Sequence, residues 1–303
     1  MSYPIVAKII RLVFCIFFIL ISRLTVFAQF QEFDKPIYSR PLNERWELDS
    51  ASRKGVFRIT FYKPVYVTAG RWSSKPNRQP RSLNPSYALD EEINYKRLEA
   101  KFQLSLKTKL LQGIFGDKGD LWAAYTQVAH WQLYNSDISR AFRELNYEPE
   151  LIFNYPVSLR LFGFDMKMAG VAFNHQSNGR DLPRSRSWNR IIFHAALQRE
   201  NWQVLVRPWI RLKDEEDENP EMERYIGNGE FVVAYSKNHH QVYSVIRHPF
   251  DRLEGGSAEL NFVFPIEEQL RFHIQFFGGY GETLIDYNHR QFTIGIGVTF
   301  IDW

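Results

Sequence analysis

The chain has one cysteine, Cys15, among its 303 residues and no second to pair with it. Intrachain disulfides and cysteine metal cages are therefore excluded. Long apolar runs are also scarce. The run over residues 12–21 is too short to cross ~30 Å of hydrocarbon as a helix, and no later stretch comes closer. Net charge is only +4, and the basic residues are scattered, which argues against a dedicated nucleic-acid surface. No internal repeat stands out. What is abundant is aromatic side chain, 16% of residues within 45% hydrophobic overall. That composition excludes a disordered chain and suits a barrel with aromatic girdles.

The first residues carry an export pattern. Lys8 and Arg11 precede the apolar run, and Val26-Phe27-Ala28 forms a small-residue exit before Gln29. This is the layout of a cleaved secretory signal, expected over residues 1–28. Cys15 lies inside it, so a mature chain over residues 29–303 has no thiol. An exported chain without disulfides must be held together otherwise, and a closed sheet is one answer.

Short segments with apolar residues at every second position recur along the rest. Leu98, Ala100, Phe102, Leu104 and Leu106 alternate with Glu99, Lys101, Gln103 and Ser105. Trp202, Val204, Val206, Pro208 and Ile210 repeat the pattern, as do Phe292, Ile294, Ile296, Val298 and Phe300. Alternation of this length means strands with one apolar and one polar face. We count about 12 such segments of the length that membrane barrels use, ~9–11 residues. They start near Val56, Leu98, Asp120, Asn146, Leu161, Trp188, Trp202, Tyr225, Gln241, Gly255, Leu270 and Gln291. The expected fold is all-β, a 12-stranded antiparallel transmembrane β-barrel, because an even strand number lets the sheet close and satisfies its backbone in lipid. A periplasmic β-sandwich shares the alternation and remains the alternative from periodicity alone. Residues 29–54 read as an irregular lead-in, 73–94 as a long loop, and the charged run 213–224 as a solvated loop. If the first strand starts in the periplasm, the loops after the third, fifth, seventh and eleventh segments share the extracellular rim.

One constellation carries chemistry. His175 and Ser177 end the fifth segment two residues apart, so on a strand they share a face at a spacing of ~6.6 Å. A serine hydroxyl becomes nucleophilic when a neighbouring base takes its proton, and a third group must then fix the imidazole tautomer. Asn189 opens the next strand and can lie opposite His175 in a hairpin. Gly179 can adopt positive φ and present its N–H to an oxyanion. His-x-Ser followed by Asn-Gly is also simply a strand ending in a turn. Parity adds a conflict. Phe162, Phe164, Met166 and Met168 place the apolar face on even positions, while Val171, Phe173, His175 and Ser177 are odd. A β-bulge within residues 167–170 resolves it and turns the pair outward. Asn189 shares parity with Ile191, Phe193, Ala195 and Leu197, which is also outward. Gln176, between the pair, then points inward.

These residues resemble the outer-membrane phospholipase A family of Gram-negative bacteria. The resemblance spans roughly residues 98–300. It is carried by His175-Gln176-Ser177-Asn178-Gly179-Arg180 followed by Ser185-Arg186-Ser187-Trp188-Asn189-Arg190. Supporting matches are Trp131-Gln132-Leu133, Phe142-Arg143-Glu144, Asn146-Tyr147-Glu148-Pro149, Tyr280-Gly281-Glu282 and Leu284-Ile285-Asp286-Tyr287-Asn288. The resemblance implies calcium-dependent hydrolysis of phospholipid and lysophospholipid acyl esters, at sn-1 and sn-2, by an outer-membrane enzyme active as a homodimer. It implies Ser177 as nucleophile, His175 as base, Asn189 as orienting group and Gly179 as oxyanion donor. Calcium (Ca2+) would be held by the carbonyl of Arg180, the hydroxyl of Ser185 and the carbonyl of Ser139 from the second subunit. Gln127 matches a polar dimer contact, and its neighbours Leu121, Ala123, Tyr125 and Ala129 share its parity. The family's second calcium site has an aspartate where this chain has Leu182, with Asp181 adjacent and Asp217 near the other ligand position. Two other readings stay open: a non-catalytic barrel, distinguished by no sulfonyl-fluoride labelling at Ser177, and a soluble periplasmic esterase, distinguished by fractionation.

Overall fold

The computed structural model describes residues 40–267, 270–301 and 303. The leader expected over residues 1–28, Cys15 included, lies outside them.

Among the described residues the strands are β1 (Ile59–Phe61), β2 (Val65–Ser73), β3 (Leu98–Leu111), β4 (Asp120–Trp131), β5 (Glu144–Leu161), β6 (Phe164–Ser177), β7 (Ser187–Arg199), β8 (Trp202–Leu212), β9 (Gly229–Lys237), β10 (His240–Arg247), β11 (Ser257–Glu267), β12 (Leu270–Gly279) and β13 (Gln291–Ile301). Both β1 and β2 lie along β3, with Ile59 opposite Thr108 and Val67 opposite Phe102. They are one stave, interrupted at Tyr62-Lys63-Pro64, where proline offers the ladder no N–H. From β2 onward each strand pairs antiparallel with the next, and β13 returns to β2. The result is a closed antiparallel barrel of 12 staves.

Alternation sets the two faces. Outward positions are apolar: Leu104, Leu151, Val171, Phe173, Phe193, Ile210, Phe231, Phe292, Ile296 and Phe300 are all exposed on the isolated barrel. Inward positions are buried and mix polar and charged side chains with an apolar cluster around Trp122, Ile152, Met168, Trp188 and Trp209. A charge inside such a wall must be paired, and here the pairing is dense. Glu99 accepts from Arg71 at 2.7 Å and from Arg143 at 2.8 Å. Arg207 meets Glu150 at 2.6 Å, and Lys109 meets both Glu47 (2.9 Å) and Asp120 (2.8 Å). The lumen is thus laced with ion pairs beside its apolar cluster.

The rims differ. Short connections join β5 to β6 through Phe162-Gly163, both with positive φ (52° and 83°), and β9 to β10 through Asn238-His239. The other rim gathers six longer loops, at 74–97, 132–143, 178–186, 213–228, 248–256 and 280–290. They touch one another. Asn77 donates to Asp286, Ser82 to the Glu218 carbonyl, Arg180 to the Phe142 carbonyl and Ser185 to Glu218. Barrels of this class carry short turns on the periplasmic side and long loops outside.

Three local expectations change. The lead-in contains a helix, α1 (Leu42–Trp46). It has no side-chain cap and is held by burial. Trp46 packs edge-on against Trp122 (5.6 Å between centroids) and Tyr62 (5.7 Å), with the Lys107 ammonium 3.5 Å above its ring. The eighth stave starts at Gly229 rather than near Tyr225, because Tyr225 belongs to a second short helix, α2 (Met222–Ile226), ended by Gly227 at φ 100°. The segment expected to start at Leu161 is separated from that residue by the Phe162-Gly163 turn, so Phe164 opens β6.

Candidate active site

A bulge decides which side of the wall the His-x-Ser pair occupies. Met166 pairs with Leu197 and Met168 with Ala196, so Lys167 is an extra residue in β6. Beyond it the faces exchange. Met168, Ala172 and Asn174 are buried in the lumen, while Val171 and Phe173 are exposed outside. His175 and Ser177 continue the outward row, half-buried at the long-loop rim. The parity conflict in the sequence is resolved at Lys167.

Register then supplies the partner. His175 lies opposite Asn189 and Ser177 opposite Ser187. The His175 Nδ1–H donates to Asn189 Oδ1 at 2.8 Å. Asn189 Nδ2 in turn donates to the Asp214 carboxylate, at 3.2 and 3.4 Å. A carboxylate only accepts, so the amide nitrogen faces Asp214 and the amide oxygen faces the ring. With the proton on Nδ1, Nε2 is left as an acceptor. Among the described residues none hydrogen-bonds the Ser177 hydroxyl, so no polar partner restricts its rotamer. Gln176 points the other way, accepting from Trp188 Nε1 at 2.8 Å.

The loop after Ser177 is built around Asn178. Its side chain accepts from the N–H groups of Arg180 (3.3 Å) and Arg186 (2.9 Å) and donates to Glu144 (3.1 Å) and the Arg184 carbonyl (2.8 Å). Gly179 follows at φ 58°, where a Cβ would stand 3.0 Å from the Tyr147 ring. Only glycine takes this conformation without strain. Arg180 reaches back to the carbonyls of Phe142 (2.5 Å) and Arg143 (3.2 Å), tying this loop to 132–143.

The oxygens beside this loop suit a hard cation. Ser185 Oγ donates to Glu218 Oε1 at 2.9 Å, while Glu218 Oε2 is buried without a partner. A carbonyl, a hydroxyl and a carboxylate with an unfilled oxygen form a donor set of the type calcium takes. Among the described residues no group of three or more His, Cys, Asp or Glu side chains could hold a metal. The second site expected near Asp181 and Asp217 is poorly furnished. Leu182 and Asp181 are exposed, and Asp217 is engaged by Arg211 at 2.6 Å. Ser139 lies in loop 132–143, where its carbonyl accepts from Trp131 Nε1 at 2.8 Å. Gln127 sits on β4 beside outward Tyr125, which donates to it at 3.1 Å. Ala129 shares that parity, opposite Phe102, and is fully buried.

Sequence reasoning read the charged run 213–224 as a solvated loop and missed its contacts with the site. Beyond the Asp214 and Glu218 contacts, Glu216 accepts from Tyr87 OH at 2.8 Å, which pushes that phenol up to about 12. The motif around Asp286 is a rim anchor. Asp286 accepts from Arg143 (3.0 Å), Asn77 (2.9 Å) and Thr283 (2.8 Å). Burial works against its charge, but Arg143 and these donors prevail and hold its carboxyl below the usual aspartate range. The signal missed in each case was long-range.

Comparison with known proteins agrees with this architecture. A phospholipase A1 family model matches residues 42–300. The putative phospholipase A1 of Neisseria meningitidis serogroup B is 38% identical over 269 residues, 86% of this chain and 70% of that protein. The phospholipase A1 of Escherichia coli strain K12 is 39% identical over 209 residues, 69% of this chain and 72% of that protein. The solved outer membrane phospholipase A from Escherichia coli superposes with a TM-score of 0.74 at 34% identity, over 80% of this chain and 94% of its own. The Salmonella typhi outer membrane phospholipase dimer with bound calcium does so at 0.74 and 33%, over 82% and 94%.

Proposed function

This chain belongs to the phospholipase A1 family, and from that premise we propose that it hydrolyses phospholipid acyl esters with Ser177, His175 and Asn189 on the outer wall of an outer-membrane barrel. The observation that carries the reading is the 2.8 Å bond from His175 to Asn189 on the outward face, with Ser177 next on that face.

The chemistry follows from the tautomer. His175 keeps its proton on Nδ1, so Nε2 takes the Ser177 proton as Oγ attacks the acyl carbonyl. The Gly179 N–H donates to the oxyanion that forms. Collapse releases the glycerol oxygen, which takes the proton from His175 and leaves an acyl ester on Ser177. Water, deprotonated by the same imidazole, then frees the fatty acid and restores the serine. The site lies on an open wall rather than in a closed pocket. That suits esters at sn-1 and sn-2, and lysophospholipids as well.

Calcium supplies positive charge beside the oxyanion when bound. The Arg180 carbonyl, the Ser185 hydroxyl and the Glu218 carboxylate would hold it, joined by the carbonyl of Ser139 of the partner subunit. That ligand makes the homodimer the active form. Gln127, an amide on a lipid-facing wall, gains a partner in the same contact. Export through a leader over residues 1–28 belongs to the same reading.

The test is phospholipid hydrolysis by the refolded full chain. Ser177→Ala is expected to lower turnover by at least about 10³-fold, and a calcium chelator to abolish it. A sulfonyl fluoride should label Ser177 only with calcium present. Wild-type-like hydrolysis by Ser177→Ala overturns the assignment.

A further inference from the structure

We propose that Asp214 is a positioning residue, which selects the reactive tautomer of His175 by fixing which way the Asn189 amide faces. The inference rests on the hydrolase reading above and deepens it.

An imidazole beside an amide has two satisfactory arrangements. The ring can donate from Nδ1 to the amide oxygen, or accept at Nδ1 from the amide nitrogen. The two ends of the amide are alike in shape and opposite in role. In the first arrangement Nε2 is bare and can take the Ser177 proton. In the second Nε2 carries the proton and cannot act as base. The His175–Asn189 pair alone does not distinguish them. A carboxylate in a catalytic triad avoids this degeneracy because both of its oxygens accept.

Asp214 removes the degeneracy from outside. Asn189 pairs with Leu212 on β8, and Asp214 lies two residues beyond Leu212. Its carboxylate receives Asn189 Nδ2 at 3.2 and 3.4 Å. An acceptor-only group there admits only the amide nitrogen, which turns the oxygen to His175. Three other acids of the run are engaged elsewhere: Glu216 with Tyr87, Asp217 with Arg211, Glu218 with Ser185. Among the described residues Asp214 has no hydrogen-bond partner except Asn189. Its negative charge also offsets the imidazolium that forms when His175 takes the proton, a task that a neutral amide performs weakly. The pair Asn189–Asp214 thus divides the work of one triad carboxylate between two residues and keeps the charge further from lipid, where charge is costly.

The experiment uses the refolded full chain with calcium. Asp214→Ala should lower kcat by about 5-fold, the scale of one hydrogen bond, with KM unchanged. Asp214→Asn, which keeps an acceptor oxygen, should recover part of the loss. In an Asn189→Asp background, where both oxygens at position 189 accept, Asp214→Ala should cause no further loss. Nitrogen-15 NMR of the His175 ring should show Nδ1 protonated in the wild type and a mixture of tautomers in Asp214→Ala. Wild-type kcat and tautomer in Asp214→Ala overturn the inference, as does an equal loss in both backgrounds. Full hydrolysis by Ser177→Ala would instead overturn the hydrolase reading on which it rests. Unboiled-gel mobility verifies that each variant retains the barrel.

Discussion

Five consecutive residues, from Asn174 to Asn178, face alternately into the lumen and out toward lipid, and the two sets are treated differently. Inward Asn174 makes three side-chain hydrogen bonds and Asn178 four. Outward His175 makes one, and Ser177 none among the described residues. The inner set is well paired because an unpaired polar group in a filled lumen costs stability. The outer set keeps unfilled hydrogen-bonding capacity, which is what a reacting group needs. One strand therefore holds the wall with its even positions and leaves its odd positions available.

The strongest way to break that comparison is to disturb the inner set. Asn174→Leu removes the bonds to Arg190 and Glu148 and leaves both buried charges under-satisfied. We expect a loss of about 3 kcal/mol in denaturant unfolding of the bilayer-refolded barrel. Asn189→Ala, on the outer face, should leave that transition nearly unmoved while turnover falls. Equal destabilisation by the two variants would erase the distinction. Gly179→Ala tests the boundary between the sets. A Cβ at φ 58°, against the Tyr147 ring, should cost about 1–2 kcal/mol and lower kcat through the displaced N–H. Unchanged kcat would remove Gly179 from the oxyanion role.

The smallest expected effect concerns the rim above the site. The Asp286 carboxyl is depressed below the ordinary aspartate value of 3.8. A depressed carboxyl contributes its stability above that value and loses it as pH falls through its own lower value. Pepsin should therefore cleave loop 280–290 slowly at pH 3.8 and a few-fold faster as the solution becomes more acidic. In Asp286→Asn that acceleration should flatten. A rim that loosens already at neutral pH would place its stability elsewhere.

Much of this was legible in the sequence, for a definable reason. Period-2 alternation at Leu98, Trp202 and Phe292 reports strand faces directly, since each side chain's direction is set by its parity. The exchange of parity between Met168 and Val171 likewise announced the bulge found at Lys167. The facing of His175 and Asn189 follows from a hairpin's register. Other features left no local trace. The helix at Leu42–Trp46 exists because Trp46 meets Tyr62 and Trp122, not because five residues favour helix. The run from Asp214 to Glu218 looks like a solvated loop until its partners Asn189, Tyr87, Arg211 and Ser185 are in place. Charge pattern along a chain does not say which donor each acid will meet, and here the donors lie from 6 to 129 residues away.

The outward turn imposed by one extra residue at Lys167 also alters what concentration means for this protein. A pocket opening to water samples solutes in three dimensions, and its occupancy follows their molarity. A site on the lateral wall of a barrel samples only molecules lying in the same sheet of lipid. On the proposed reading its supply is a surface density, delivered by sideways diffusion. Its natural titration variable is the mole fraction of substrate in one leaflet, and an impurity of a few molecules per barrel counts as an appreciable dose.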